Sequence, residues 1–364
     1  MIIGIDASNI RTGGGKKQLE DFVSSCIDEF KDISFVIVSN KKVNKSFTKF
    51  ASVKCITNDL LNSNSFFSML SQTLYSNSYF KNNRCDFVFV PGGIFLSRFR
   101  PFFIMSQNML PFDLNEIRNF SFSKKIKFRL IKFLQISSFN RSNGVIFLTE
   151  YAKSSIQKFL KKDIKSSIIP HGIDQNKINY YNYNKNIFNI LYVSDFLPYK
   201  HNFNVFKAVS ELILEGYDIT LTLIGKKDKI QFPKMESFLA KKKKLNQRIK
   251  ILGTVPSEKI TEYYKDSSLF LFASTCENLP FILLEAISFG LPVITTDKKP
   301  MKDIVNGKNI LFNSLNIEDI KNTIRVNMDK KNLIKISEKN FYASKNYTWK
   351  KNVIESLRFF KKNL

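Results

Sequence analysis

Cysteine, histidine and tryptophan are scarce in this chain of 364 residues, which has four Cys, two His and one Trp. Cys26, Cys55, Cys85 and Cys276 form no CxxC pair and no metal-like grouping with His171 and His201. That pattern excludes a disulfide framework or a zinc module and leaves free thiols in a reducing compartment. No stretch reaches the roughly 18 to 20 uninterrupted apolar residues that a membrane-spanning helix needs. The opening MIIGIDASN has no basic residues before its apolar stretch and no small-residue cleavage site after it, so it reads as a first strand rather than a signal. The expected location is therefore cytoplasmic, either free or peripheral on the inner face of the plasma membrane.

Acidic residues are also few: 31 Asp plus Glu stand against 57 Lys plus Arg, a formal net charge of +26. Such a field attracts nucleic acid, acidic lipid or phosphorylated ligands. A coding bias toward A and T, visible in the abundance of Asn, Ile, Phe and Lys, accounts for the same charge without any partner. No zinc-finger spacing, RNP-like aromatic motif or basic region with heptads is present, so nucleic acid is not an expected partner. A basic, non-catalytic nucleic-acid or membrane-binding protein is the rival reading from another class.

What is present is globular: 43% hydrophobic and 24% charged residues in a length that suits two domains. Short apolar runs alternate with helical patterns at 1–5, 35–38, 86–90, 102–105, 144–149 and 166–170. After the polar DQNKINYYNYNKN at 174–186 the rhythm restarts at 189–195, 219–225, 249–255, 268–274 and 292–296. Strands alternating with helices predict βαβ units and parallel sheets, hence two doubly wound α/β domains, residues 1–173 and 187–345, joined by a linker at 174–186. Ligands in such sheets bind outside the carboxyl ends of the strands. The run LAKKKKLNQ at 239–247 reads as a basic cluster on or beside a helix, either solvated or phosphate-binding.

The stretch CENLPFILLEAISFGLPVITT places Glu277 and Glu285 eight positions apart. A strand ending in SLFLFAS, a turn TCEN and a helix continuing through LPFILLEAISF are expected, with Asn278 as N-cap, Pro280 in the first turn and Gly290 ending the helix in a left-handed conformation. Leu279, Leu283, Ala286 and Ile287 share the face toward the sheet, and Phe281, Glu285 and Ser288 line another. Eight helical steps separate the carboxylates by roughly 12 Å, which suits a sugar at one end and a nucleoside ribose at the other, joined by a diphosphate. A carboxylate accepts two hydrogen bonds from a vicinal diol, and the helix N-terminus offers N–H groups to phosphate. Each Glu alone is equally an ordinary helix residue.

This stretch resembles the E-x7-E signature of glycosyltransferase family 4, retaining sugar-nucleotide transferases of the GT-B fold. IDASNIRTGGGKKQL, GVIFLTEYAK, IIPHGID, ILYVSDFLPYKHN and the late TWKK match in the expected order, so the resemblance covers nearly the whole chain. It implies two Rossmann-like domains facing across a cleft, an acceptor-binding first and a donor-binding second, with a C-terminal helix at about 346–364 packing back on the first. By resemblance Glu277 lies near the transferred sugar, Glu285 binds the ribose, and Lys200 neutralises the leaving diphosphate. Asn278, Leu279, Pro280 and Phe281 face the sugar and diphosphate, and Ser194, His201, Gly225 and Lys226 complete the donor site. Gly13, Gly14 and Gly15 resemble the first-domain loop that reaches toward diphosphate and acceptor. Taken alone, the triple glycine is a flexible loop.

Two departures stand out. Many family members carry an Arg about five residues before the Lys, where this chain has Asp195. A first-domain His common in the family is missing; PFFIMSQNMLPFDLNE occupies that place and offers Asn108 instead. His171, in IIPHGID, reads as structural.

The chain contains no D-x-D triplet, so no divalent metal or other cofactor is expected and the nucleoside diphosphate sugar is a co-substrate. The implied acceptor is a glycan or lipid-linked oligosaccharide in cell-surface polysaccharide synthesis. FSFSKKIKFRLIKFLQ at 120–135 mixes aromatic and basic residues at helical spacing, as a helix on an anionic membrane surface does and as a core helix with a solvated basic face does too. A GT-B sugar-nucleotide epimerase or phosphorylase is the enzymatic alternative.

Overall fold

Runs such as FVFV and GVIF are apolar on both strand faces, which suits strands covered by helices on each side. The computed structural model describes residues 1–11, 13–174, 187–305, 307 and 310–364. The chain divides into two units: Met1–Ile117, Ser121–Gly172 and Thr348–Leu364 form the first, Arg118–Phe120 and Ile173–Tyr347 the second. Of the linker read at 174–186, residues 175–186 lie outside the described ones.

The first unit holds β1 (Ile2–Asp6), β2 (Ser34–Val38), β3 (Val53–Ile56), β4 (Phe87–Val90), β5 (Phe102–Ser106), β6 (Gly144–Phe147) and β7 (Ser166–Ile168). They form one parallel sheet in the order β3-β2-β1-β4-β5-β6-β7. The second holds β8 (Phe188–Val193), β9 (Ile219–Ile224), β10 (Ile249–Gly253), β11 (Leu269–Phe272), β12 (Val293–Thr296) and β13 (Leu311–Phe312). These are parallel too, in the order β10-β9-β8-β11-β12-β13. In each sheet the chain winds outward from its first strand and then returns to that strand's other side. The reversal opens a crevice beyond the carboxyl ends of β1 and β4, and again beyond β8 and β11.

The strands β3 and β13 were not expected from sequence. Both are edge strands; β3 is only partly buried and β13 has two residues, so neither shows a continuous apolar run.

In the first unit, Asp6 at the end of β1 is buried and accepts from the backbone N–H (3.2 Å) and hydroxyl (2.6 Å) of Ser8, from Gln72 (2.9 Å) and from Ser76 (3.0 Å). Burial pushes its carboxyl above the usual range even against these four donors. The last helix, Trp349–Lys362, lies on this sheet: the Phe360 ring sits 5.1, 5.3 and 4.8 Å from Phe87, Phe89 and Phe103. Burying side chains of this size contributes about 1.5–3 kcal/mol each. At its start the approach is tight, since a Cβ on Gly172 would stand 2.2 Å from the Trp349 backbone nitrogen. Asn352 donates to the Pro170 carbonyl at 2.7 Å, so IIPHG and TWKK meet through backbone.

In the second unit, the helix Asn202–Leu214 is tied at its far end by Lys321, which pairs with Glu211 (3.0 Å), Glu215 (2.7 Å) and Glu318 (2.9 Å). Three carboxylates around one largely buried ammonium hold that helix against the helix Ile317–Val326.

Candidate active site

The β8–β9 ladder runs past its last paired residues. Ser194 donates from its backbone to Ile224 at 2.7 Å, Phe196 donates to Lys226 at 3.0 Å, and the Asp195 carboxylate accepts from the Lys226 backbone at 2.8 Å. Asp195, at the position where the resemblance leads one to look for an Arg, thus closes a clasp between two loops. Gly225 makes the clasp feasible. Its φ is +147°, and a Cβ there would stand 2.0 Å from the Ser194 carbonyl oxygen.

Beyond the clasp the chain makes a 3-10 turn over Pro198–Lys200, and His201 starts the helix Asn202–Leu214 in the left-handed region at φ +52°. Three bonds fix this turn. The Tyr192 hydroxyl, from buried β8, donates to the Lys200 carbonyl. The Thr275 backbone donates to the Tyr199 carbonyl at 2.9 Å, and the Thr275 hydroxyl shares a 2.9 Å hydrogen bond with His201 Nε2. Thr275 belongs to the loop after β11, so these contacts bind the two loops at the sheet's reversal point.

Two residues further on lies Glu277, whose carboxylate receives a hydrogen bond from the Lys200 ammonium; both side chains are 15% exposed. The ammonium also sits 5.3 Å from the Tyr199 ring centroid and 5.5 Å from that of Phe272. A cation is thereby held at the mouth of the crevice, oriented by a carboxylate and two rings.

Glu285 lies on the helix Phe281–Ser288, half-buried, and its Oε2 accepts from the Tyr264 hydroxyl at 3.3 Å; the same hydroxyl lies 3.3 Å from the Ile282 carbonyl. Tyr264 is itself buried, stacked on Phe289 at 5.2 Å, and burial with the neighbouring Glu285 charge pushes its phenol well up. One end of the Glu285 carboxylate is therefore fixed by the core.

Several expectations need correction. Asn278 is not the N-cap: the helix begins at Phe281 with Pro280 in the capping position, and buried Asn278 precedes it by three residues. The Pro280 ring presets the backbone angle for helix entry, so the start falls at the proline. Ser288 is buried and donates to the Glu285 carbonyl at 2.8 Å rather than lining an outer face. Gly14 and Gly15 form the first turn of the helix Gly14–Glu29, not a loop. Only Gly13, at φ +69°, has a backbone that calls for glycine. As expected, Leu279, Leu283, Ala286 and Ile287 are buried, and Gly290 is left-handed at φ +67°.

The structure brings Lys200, Glu277 and His201 together, with Ser194 and Gly225 behind them and Lys226 exposed beside the clasp. Leu279 and Phe281 flank the helix entry. Gly13, Gly14, Gly15 and Asn108 belong to the first unit; exposed Asn108 accepts from the Leu110 backbone at 3.0 Å. Among the described residues no three His, Cys, Asp or Glu side chains are grouped to hold a metal ion. Thr275, Tyr192 and Tyr264 escaped the sequence reading. Thr275 lay inside the turn TCEN and Tyr192 inside ILYVSDFLPYKHN, whereas Tyr264 lies in no motif and its partner Glu285 is 21 residues on.

Both imidazoles are held neutral. Burial pushes His171 down to about 3 and His201 down to about 4, from an ordinary 6.5. The unfolded chain takes up protons on these rings below pH 6.5 while the folded chain does not until pH 4 or lower, so stability falls as pH drops through that window. Relative to neutral pH, the two rings together cost the fold on the order of 4 kcal/mol at about pH 5. Melting temperature followed against pH should therefore decline on acidification, and His201→Asn, which tolerates the left-handed backbone, should remove about half of the decline. An unchanged slope in that variant refutes the assignment.

Residues 174–346 match the family described as Glycosyl transferases group 1. The capsular polysaccharide biosynthesis glycosyltransferase CapH of Staphylococcus aureus is 27% identical over 166 residues, 45% of this chain and 45% of that protein. The chain thus covers less than half the length of that relative. A solved structure of Anabaena Alr3699/HepE in complex with UDP and glucose matches at TM-score 0.74 and 15% identity, covering 100% of both chains. Sucrose-phosphate synthase from Thermosynechococcus elongatus matches at TM-score 0.78 and 13% identity, covering 100% of this chain and 98% of that one. No helix among the described residues is long and apolar enough to cross a membrane. The chain has the GT-B fold, and the part of it that matches the Glycosyl transferases group 1 family is its second unit.

Proposed function

We propose that this chain is a retaining glycosyltransferase of family 4 type, moving a sugar from a nucleoside diphosphate sugar to a hydroxyl of a glycan or lipid-linked oligosaccharide in cell-surface polysaccharide synthesis. The observation that carries the reading is the pinned Lys200 ammonium at the carboxyl ends of β8 and β11, paired with the first glutamate of E-x7-E. The CapH relative, named for capsular polysaccharide biosynthesis, and the UDP-bound structural match support it.

On this reading the donor diphosphate displaces Glu277 from Lys200, and the ammonium meets the negative charge that grows as the anomeric C–O bond breaks. The N-terminus of the helix Phe281–Ser288 adds N–H groups and the positive end of its dipole. The acceptor hydroxyl oxygen bonds to the anomeric carbon from the same face, and its proton passes to the departing phosphate oxygen. Glu285, steadied by Tyr264, holds the ribose diol. Glu277, released from Lys200, accepts from sugar hydroxyls. On the first unit, Gly13, Gly14, Gly15 and Asn108 serve the diphosphate and acceptor. The work takes place on the inner face of a membrane, where lipid-linked acceptors are found.

The test is a thermal-shift screen against UDP-, GDP-, dTDP- and CDP-sugars. Saturating ligand at a hundredfold excess over Kd stabilises by about 2.7 kcal/mol. One nucleotide class should raise the melting temperature, and Glu285→Ala should abolish the rise. No rise with any class in folded protein overturns the reading. Because the proposed charge compensation is by Lys200 and helix N–H groups, turnover should persist within about twofold in EDTA. Loss of turnover restored by Mg²⁺ or Mn²⁺ refutes that part.

A further inference from the structure

Two helices of the first unit are built inside out. In the helix Ser65–Leu74 the buried residues are Ser68, Ser71 and Gln72, whereas Phe66, Phe67, Leu70 and Leu74 are exposed, Phe66 by 66%. In the helix Phe122–Arg141 the buried residues are Gln135, Ser138 and Phe139, whereas Phe122, Ile126, Leu130 and Phe133 are exposed, Phe122 by 77% and Phe133 by 68%. At about 100° per residue each exposed set falls within about 100° of arc, opposite the buried set. A helix meant to face water has the reverse arrangement.

The two stripes lie on the same side of the sheet. The extended segment 94–96 runs between the helices and alternates its bonds: Gln72 donates to the Ile94 carbonyl (3.0 Å) and accepts from the Leu96 N–H (2.8 Å), while Ser138 accepts from the Phe95 N–H (3.0 Å). Inward-facing Gln72 and Ser138 thus bond one backbone segment, while Ser68 and Ser71 accept from Arg11 and Asn58, and the apolar stripes are left outward on either side. Lys125, Lys127 and Arg129 flank the second stripe, while Lys132 turns away to lie 4.0 Å from the Phe159 ring. Aromatic side chains beside ammonium and guanidinium groups match the boundary between acyl chains and anionic headgroups.

We infer that the first unit docks on an anionic bilayer through these two stripes together, the helix Ser65–Leu74 as an uncharged wedge and the helix Phe122–Arg141 as its basic, aromatic companion. The inference rests on the surface of this unit and not on the transferase reading, and vesicle binding requires no donor and no turnover.

The chain's one tryptophan, Trp349, is buried, so a new indole reports cleanly. Phe66→Trp and Phe133→Trp, each in the full chain, should blue-shift and be quenched by acyl-chain-brominated lipid in phosphatidylcholine–phosphatidylglycerol vesicles. Binding should be about tenfold weaker on pure phosphatidylcholine. The pair Phe66→Ser with Leu70→Ser, and separately Phe122→Ser with Phe133→Ser, should each weaken binding at least tenfold. Ile230→Ser with Leu315→Ser, equally exposed but in the second unit, should leave it unchanged. Absence of quenching in folded variants overturns the proposal. So does a dimer in sedimentation that Phe66→Ser with Leu70→Ser converts to monomer without any vesicle binding, since the face then belongs to a second copy.

Discussion

Replacing Lys200 by Ala lowers kcat by about 10²- to 10³-fold, the effect of deleting one preorganised group that meets developing charge. The loss should fall mainly on kcat, because the ammonium in the free site is already satisfied by Glu277 and gains most when charge accumulates on the leaving phosphate. The variant is also expected to retain its fold, since the Lys200 carbonyl, not its side chain, receives the Tyr192 hydroxyl. What remains is a Glu277 carboxylate, 15% exposed, facing the same crevice without its counterion. That residual charge opposes an anionic donor, so Lys200→Ala with Glu277→Gln should be no worse than Lys200→Ala alone. Steady-state kinetics on the four forms of this cycle give the coupling directly. A Lys200→Ala enzyme within threefold of the parent would remove Lys200 from the reaction, and additive losses would remove its coupling to Glu277.

Much of this architecture is legible in the sequence, and the reasons are local. Buried parallel strands such as Phe87–Val90 and Leu269–Phe272 are unbroken apolar runs that need no partner to be recognised. Gly290 is legible because a glycine after an apolar helical run has one common use. The edge strands β3 and β13 are not, because half-covered strands lose the apolar continuity. Within the site, Lys200 and Glu277 stood out through the motifs around them, yet nothing local announces that residues 77 apart share a hydrogen bond. That pairing follows from β8 and β11 being neighbours, a property of strand order rather than of either segment. Asp195 illustrates the limit. As a charge it looks like a loss to an anion site, whereas its observed work is mechanical, accepting the Lys226 N–H across the loops.

The same clasp sets the second large effect, Gly225→Ala, which should destabilise the second unit by about 3 kcal/mol or more. Two penalties combine. At φ +147° a side chain is strained wherever it points, and the new Cβ would meet the Ser194 carbonyl oxygen at 2.0 Å, its carbon at 2.3 Å and the Asp195 nitrogen at 2.8 Å. All three are backbone atoms, so relief requires the loops after β8 and β9 to part, and with them the 2.8 Å bond that Asp195 accepts. Gly216 separates the two causes: its φ is +103°, but a Cβ there meets nothing within 4 Å. Gly216→Ala should therefore show strain alone, about 1–2 kcal/mol. At about 2–4 °C per kcal/mol for a unit of this size, the melting temperatures of the two variants should differ by several degrees. Gly225→Ala should also blunt the donor-induced thermal shift, because the parted loops carry the turn that presents Lys200, while Gly216→Ala keeps the shift intact. Equal destabilisation in the two variants would show that the close approach of Ser194 to Gly225 does not govern the site. A large gap with a lost donor shift would show that the geometry of the cation depends on how closely the loops after β8 and β9 approach at Gly225.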